Sequence, residues 1–189
     1  MSRAVRAFLP VAGDPTALRR AFVGDPARWL PDARRLGPGH WTMTVRAGQF
    51  SRLVDAHLGE PWRAGGSQWR SLSWEPSIHE DTLERFLPSL EGELGLHVLD
   101  GLVTIMLDAR YEAPGGPVGS ALDSLGLQRV ARVTVERLLA DIAARLTAES
   151  LLAADIVIPE DEATEDGATE DEAAEHERRT GPDERASLG

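Results

Sequence analysis

The residues best suited to acid–base or metal chemistry are few and scattered. Within the first hundred residues the histidines are His40, His57, His79 and His97, without the HxxxH or HExxH spacing that brings two imidazoles to one metal ion. The sequence contains no cysteine, which excludes disulfides, thiolate ligands and cysteine nucleophiles. No serine has the context of a nucleophile elbow, and no acid–base pair is arranged like a catalytic triad. We therefore expect no metal and no cofactor, and whether the protein is an enzyme stays open.

Aromatic side chains are the first candidates for ligand contact. The chain has five tryptophans but only one tyrosine, Tyr111. Four of the tryptophans lie in the part of the chain that the pattern predicts to be a sheet. There they either fill an ordinary core or line a pocket for a flat apolar molecule. Trp41 and Trp69 are the two that we predict to line such a pocket, together with Tyr111.

Two arginines, Arg52 and Arg70, lie in the middle of predicted strands. An arginine that points into a cavity needs a carboxylate partner or an anionic or carbonyl ligand, because a buried unpaired charge is costly. Arginines in such positions more often lie on the solvent-exposed (wet) face of a sheet, and this is the placement that we expect. Both remain candidates for ligand contact if their strands turn them inward.

These candidates must be positioned by a sheet, since residues 33–111 form short alternating runs separated by turn signals such as Asp100-Gly101. Units of about ten residues are typical of an antiparallel meander. In the clearest run, Leu94 and Leu96 share a face with Leu90 and are candidates for a cavity wall. The predicted strands cover residues 3–11, 33–36, 40–46, 50–58, 67–74, 89–98 and 102–111.

Helices complete the predicted domain. Asp14-Pro15 and Asp25-Pro26 predict two short helices after the first strand, because each pair places a side-chain acceptor at the N-cap and a fixed φ at the next residue. After a corner at residues 114–117 comes a helix of about eight turns with one apolar stripe. Its members are Leu127, Val130, Ala131, Thr134, Val135, Leu138, Leu139, Ile142 and Leu146. Packing this stripe on the dry face of the sheet gives a two-layer α+β fold with about seven strands.

Two positions on the long helix are further candidates for ligand contact. Val130 belongs to the apolar stripe, and Gly126 interrupts the helix at a cost of about 1 kcal/mol relative to alanine. A glycine at this point either lets the helix bend at the mouth of a cavity or marks an incidental kink or a close packing contact.

Composition and charge limit the classes of function. The chain has 189 residues, 42% of them hydrophobic, which suits one domain over residues 1–150 and a tail over residues 151–189. Residues 1–148 contain 17 arginines and 17 acidic residues, so the net charge of −11 comes from the remaining 3 arginines and 14 acidic residues. A neutral domain with an acidic tail has little affinity for nucleic acid, and no apolar run could span a membrane. We expect a cytoplasmic protein whose residues 159–189 are disordered.

The junction between the last strand and the long helix carries a family resemblance. Residues 109–116, Ala-Arg-Tyr-Glu-Ala-Pro-Gly-Gly, followed by Gly119, Asp123 and Arg129-Val130-Ala131, resemble this junction in the polyketide cyclase/dehydrase-like branch of the bacterial SRPBCC (START-like, helix-grip) superfamily. The resemblance covers about residues 3–148. It implies a sheet curled around the C-terminal helix, with an apolar cavity between them. Some members hold lipids, hormones or aromatic compounds there, and others direct ring closure of poly-β-keto chains.

Three hypotheses for the function follow. The first is binding or carriage of a small hydrophobic molecule in the cavity, without chemistry. The second is a cyclase or aromatase in which donors such as Arg70, Tyr111 or His57 surround an enolising carbonyl. The third is a protein partner docked through the acidic tail in a salt-sensitive complex. The missing catalytic constellation favours the first.

Overall fold

The computed structural model describes residues 2–47, 50–77, 87–112 and 124–155. The strands in these ranges are β1 (Ser2–Val11), β2 (Arg34–Gly37), β3 (His40–Ala47), β4 (Phe50–Leu58), β5 (Trp62–Ala64), β6 (Ser67–Pro76), β7 (Ser89–Leu99) and β8 (Leu102–Glu112). The helices are α1 (Pro15–Val23), a short 3₁₀ helix (Pro26–Arg28) and α2 (Ser124–Asp155). The predicted corner at residues 114–117, His79 and the acidic segment 159–189 lie outside the described residues.

The strands form one antiparallel sheet in the order β1-β8-β7-β6-β4-β3-β2, with β5 paired to β6 beyond the end of β4. The sheet curves around α2, which confirms the predicted α+β, helix-grip architecture. All seven predicted strands occur within two residues of their expected ends. The sequence pattern does not predict β5, because its three residues lie between Pro61 and Gly65-Gly66, where turn signals outweigh it.

Both predicted helix starts after β1 are confirmed. The Asp14 carboxylate accepts a hydrogen bond from the backbone N–H of Ala17 at 2.7 Å, and the Asp25 carboxylate accepts one from Ala27 at 3.2 Å. The first start opens α1, which ends at Gly24 as expected, whereas the second opens only a turn of 3₁₀ helix. These two caps explain why the chain turns twice before it enters β2.

The long helix α2 packs on the sheet through one apolar face. Its buried residues are Ala131, Thr134, Val135, Leu138, Leu139, Ile142, Ala143 and Leu146. Arg46 pairs with Asp141 at 3.5 Å and Arg145 with Asp32 at 2.7 Å, but exposed ion pairs contribute at most about 1 kcal/mol each. The apolar face therefore holds the helix in place. In the described part of the chain, no helix has the length and apolarity needed to cross a membrane.

The two ends of α2 differ from the predicted stripe. Val130 is 41% exposed, so its predicted place on the buried stripe is wrong; it stands at the edge of the stripe, and the next residue, Ala131, is buried. At the other end, α2 continues to Asp155 with Leu151 and Leu152 exposed.

Arg70 ties α1 to the sheet from a buried position. The register pairs it with Leu94 on the face that carries the core, and only 4% of its surface is exposed. Its Nε and Nη2 donate to the carbonyl oxygens of Phe22, Val23 and Gly24 at 3.2, 2.7 and 3.2 Å, and its Nη1 donates to Gly59 at 3.0 Å. The expected placement of Arg70 on the wet face is therefore wrong. A cation at the C-terminal carbonyls of a helix is favourable because these groups have no intrahelical donor.

Burial lowers the pKa of Arg70, and the nearby Glu60 carboxylate partly opposes this shift. The planar guanidinium also lies over two aromatic rings, 6.0 Å from the centre of Phe22 and 5.9 Å from the centre of Trp29. Phe22 and Trp29 stack on each other with centroids 5.3 Å apart. One cation thus holds the end of α1, the loop at Gly59 and an aromatic pair together.

Replacing Arg70 with methionine should destabilise the protein by about 2–4 kcal/mol, because four buried or partly buried carbonyl groups lose their donor at once. The free energy of unfolding, measured by urea denaturation, gives the size of the effect. Arg34→Met is the matched control, since Arg34 is exposed on β2 and should change stability by less than about 0.5 kcal/mol. Equal stabilities for the two variants would contradict the capping role of Arg70.

Gly92 is required by the close approach of β7 and β8. A Cβ atom at this position would lie 2.3 Å from the carbonyl oxygen of Asp108 and 2.4 Å from the Cβ of Ala109. Gly92→Ala should therefore lower the free energy of unfolding by about 2–3 kcal/mol. Gly37→Ala is the control, because the nearest atom to its Cβ, in His40, would be 3.9 Å away. A Gly92→Ala variant as stable as the control would show that the strands do not meet this closely.

Candidate functional site

The candidate site is the face of the sheet that turns toward α2, called the inner face below. Directly paired residues in an antiparallel sheet point to the same side, so the register assigns each side chain to a face. One row of direct pairs crosses five strands from β3 to β8, and neighbouring members lie on strands about 4.8 Å apart. Its members are Trp41, Ala56, Trp74, Leu90 and Tyr111. All five are buried, and three of them are large aromatic residues.

Three polar atoms on the facing surfaces of this site have no hydrogen-bond partner among the described residues. They are the indole Nε1 of Trp41, the hydroxyl of Tyr111 and the hydroxyl of Thr134, and each residue is at most 2% exposed. Trp41 and Tyr111 stand in the aromatic row, and Thr134 lies on the buried face of α2. Trp74 differs, because its Nε1 donates to the carbonyl oxygen of Pro88 at 3.1 Å. Buried polar groups are normally paired. Three further buried atoms without a partner, Arg19 Nε, Trp29 Nε1 and Ser77 Oγ, belong to neither the aromatic row nor α2.

The row next to the aromatic one is built from smaller side chains. It runs from Leu72 through Gly92 and Ala109 to Val5. Gly92 and Ala109 stand beside Leu90 and Tyr111 on the same strands, so little side-chain volume covers the backbone there. A flat group laid over these two positions would contact the Tyr111 ring at its side. Together the two rows define a surface that is apolar and aromatic with polar atoms at three points.

The other predicted contact residues are distributed over both faces. Leu94 and Leu96 are fully buried on the inner face, as predicted for their strand. Arg52 is also on the inner face, opposite Val45, where it is half-buried and donates from Nη1 to the carbonyl oxygen of Ser51 at 3.2 Å. Its expected placement on the wet face is therefore wrong, because β3 and β4 pair so that every second residue faces the core.

Trp69 lies on the opposite, outer face. It is paired with Gly95, and a Cβ on Gly95 would come within 2.7 Å of the Trp69 ring, so the indole lies flat over the glycine. His97 meets the same indole edge-on at 5.2 Å, and its Nδ1 is 2.7 Å from the hydroxyl of Ser67. Trp69 therefore does not face α2, so its predicted place in the wall of the pocket is wrong, and His97 lies on the same outer face.

Two more predicted residues are not available to a ligand on the inner face. The donors of Arg70 are engaged by backbone carbonyls, and Val130 is exposed. Gly126 lies in the first turn of α2, and its role in ligand contact stays a prediction. His57 is exposed on the outer face, where its ring stacks on His40 with centroids 4.0 Å apart. His57 and Tyr111 are thus on opposite sides of the sheet.

Thr134 is the functional residue that sequence reasoning missed. It was visible as the one hydroxyl in the apolar stripe of α2, and its position on the buried face places that hydroxyl where water does not reach. In the described residues, no three histidine, aspartate or glutamate side chains are grouped so as to hold a metal ion.

A groove of about 900 Å³ lies mainly on the outer face, and its lining also includes Trp74 and Leu90 of the aromatic row. Most of its lining side chains belong to two outer rows, including His57, Ser73, Glu91 and Arg110 in one and Glu75 and Glu112 in the other. It is lined by charges of both signs. The groove is not the cavity between sheet and helix that the sequence resemblance implied.

Comparison of this chain with solved structures identifies its fold. No protein-family model matches the sequence, and no curated protein matches it either. Among solved structures, the Zhui aromatase/cyclase from Streptomyces sp. R1128 matches with a TM-score of 0.53 at 12% identity, covering 82% of this chain and 96% of that one. A conserved protein from Geobacillus kaustophilus matches with a TM-score of 0.50 at 11% identity, covering 81% of this chain and 97% of that one.

A truncated norcoclaurine synthase from Thalictrum flavum matches with a TM-score of 0.50 at 10% identity, covering 80% of this chain and 94% of that one. Identities this low bear on the fold alone. The chain therefore shares the fold of these structures, an α+β helix-grip fold with a curved antiparallel sheet and a long C-terminal helix.

Proposed function

We propose that the protein binds a small, neutral, largely apolar molecule between the inner face of the sheet and α2, and carries it without transforming it. The observation that supports this most strongly is the set of three buried polar atoms without partners, on Trp41, Tyr111 and Thr134. Each unpaired buried group costs about 1–3 kcal/mol. A ligand that pairs with them recovers this free energy on binding.

The chemistry of the three atoms limits the ligand. The indole N–H of Trp41 is a donor only, whereas each hydroxyl both donates and accepts. The ligand therefore carries at least one acceptor, such as a carbonyl or hydroxyl oxygen. The rest of the surface, with Trp74, Leu90 and the small Gly92, favours a flat apolar body.

The charges of the inner face indicate a neutral ligand. An ionised group taken into an apolar interior needs a charged partner. Arg70 is the one buried charged residue among those described, and its donors are engaged by four carbonyl groups of the chain itself. Arg35 lies 4.8 Å over the ring of Trp41, and its side chain is exposed. Arg52, which is half-buried on the inner face, donates to the carbonyl oxygen of Ser51.

An enzyme of the cyclase class is the second candidate, and it has one observation in its favour. The Zhui protein is an aromatase/cyclase with the same fold, and the Tyr111 hydroxyl is a donor inside the site. The three donors expected for such an enzyme do not surround one carbonyl, however, since His57 is on the outer face and Arg70 is engaged. Catalysis would depend on Tyr111 alone among these donors, so we favour a protein that binds and carries its ligand without transforming it.

Two further predictions concern location and partners. A cytoplasmic location fits a chain without cysteine. A protein partner docked through the acidic segment 159–189 also stays a prediction, and its residues lie outside the described ranges.

Two threonines on α2 test whether the interior hydroxyls lack partners. The Thr147 hydroxyl donates to the carbonyl oxygen of Ala12 at 2.9 Å, whereas the Thr134 hydroxyl has no such partner. In the ligand-free protein, Thr147→Val should lower the free energy of unfolding by about 1 kcal/mol, and Thr134→Val should leave it unchanged or raise it. Chemical denaturation of both variants gives the answer. A loss at Thr134 as large as at Thr147 would show that its hydroxyl is already paired.

Ligand binding is tested with Nile red, a neutral flat dye that carries a carbonyl group. The full chain should bind it with a rise in dye fluorescence, and Tyr111→Phe or Trp41→Phe should weaken the affinity about five- to tenfold through loss of one hydrogen bond. Trp62→Phe on the outer face is the matched control and should bind as the unchanged chain does. No binding, or equal losses at Trp41 and Trp62, would refute the site.

Native mass spectrometry of the protein isolated from its own host extends this test to the natural ligand. A bound neutral molecule that is depleted in the Tyr111→Phe variant is the expected result. A bound molecule with a permanent charge, or one retained equally by both proteins, would contradict the proposed chemistry.

A further inference from the structure

The register of β3 and β4 brings together two histidines that lie far apart in the sequence. His40 and His57 are direct partners on the outer face of the sheet, and their rings stack with centroids 4.0 Å apart and planes 21° from parallel. Directly opposed side chains of an antiparallel pair have Cβ atoms about 4.5–5.5 Å apart. The sheet therefore places two imidazoles side by side, as an HxxxH motif does on a helix. We call these two residues the histidine pair.

The ring nitrogens of the histidine pair are available to a ligand. Within the described ranges, neither ring makes a hydrogen bond or an ion pair, and each stacks on the other. His97 on the same face differs, because its Nδ1 lies 2.7 Å from the hydroxyl of Ser67. A neutral imidazole has one nitrogen that donates and one that accepts. The histidine pair thus offers two nitrogen lone pairs next to each other.

The surroundings of the histidine pair favour a cation. Both rings line the groove on the outer face, where four carboxylates and one guanidinium supply the other charges. These charged residues are Asp55, Glu75, Glu91, Glu112 and Arg110. A cleft lined mainly by one sign of charge raises the local concentration of ions of the opposite sign. The groove therefore concentrates cations beside two nitrogen ligands.

We propose that the histidine pair binds one divalent transition-metal ion, and that Cu²⁺ is the ion it binds most tightly. Imidazole nitrogen is a good ligand for Zn²⁺, Ni²⁺ and Cu²⁺, and Cu²⁺ has the highest affinity of the three. Metal–nitrogen bonds are about 2.0–2.1 Å long, so two nitrogens on one ion lie about 3 Å apart. Rotation about the side-chain bonds brings the two rings to this separation, since His57 is exposed. No three ligating side chains of the described residues are grouped, so water completes the coordination.

Isothermal titration calorimetry of the full chain with Cu²⁺ alone tests the proposal. One ion should bind at the histidine pair, and His40→Ala or His57→Ala should weaken this binding about tenfold or more, because one of two nitrogen ligands is lost. His97→Ala is the matched control, since its ring is on the same face but already has a partner. His176→Ala controls for metal held by the acidic segment, which contains that histidine. Both controls should bind as the unchanged chain does.

Electron paramagnetic resonance of the Cu²⁺ complex of the unchanged chain gives a second readout that needs no variant. The spectrum should show superhyperfine splitting from two imidazole nitrogens. Circular dichroism of each variant checks that the fold is kept. The proposal would be overturned by the absence of saturable binding, by a spectrum without splitting from two nitrogens, or by an equal loss in His97→Ala. A complex that only His176→Ala removes would also overturn it and assign the metal to the acidic segment.

Discussion

The antiparallel register is the constraint on which both faces of this sheet depend. Side chains alternate along each strand, so one pair such as Trp74 and Leu90 fixes the side on which every other residue of β6 and β7 stands. A slip of one residue would move the aromatic row to the outer face and bring Trp69 inside. The hairpin turns help to set this register: Asp100 and Gly101 take φ values of 49° and 78°, the left-handed conformations that a two-residue turn between twisted strands requires.

Arg70 shows how a charge becomes part of such a core. Its side chain is long enough to pass from the inner face of β6 to the end of α1, where carbonyl groups are available because the helix stops at Gly24. A carboxylate partner is therefore unnecessary, and the cation meets four partial negative charges together with two aromatic rings. Leucine in its place would fill the space but leave those carbonyl groups without donors. The same contacts that satisfy the charge also remove Arg70 from any ligand chemistry.

The fold was largely predictable because its signals are local. Alternation, turn residues and Asp-Pro caps act over a few residues, and they located the strands and α1 closely. The site was less predictable because it depends on which face of the sheet each side chain occupies and on partners that are distant in the sequence. Trp41 and Trp69 look alike in sequence, yet the first is paired with the inward Ala56 and the second with the outward Gly95. Likewise, no residue near Arg70 in the sequence indicates that the carbonyl groups of residues 22–24 will accept its hydrogen bonds.

Each face of the sheet carries residues that break the usual pattern. Polar atoms normally stand outside and apolar groups inside, and departures from this rule cost stability unless something compensates. On the inner face the departures are the unpaired atoms of Trp41, Tyr111 and Thr134; on the outer face they are the exposed Phe8, Leu99 and Leu102. The first set lacks hydrogen-bond partners and the second lacks apolar cover. A small molecule that carries an acceptor is the partner that we propose for the first set.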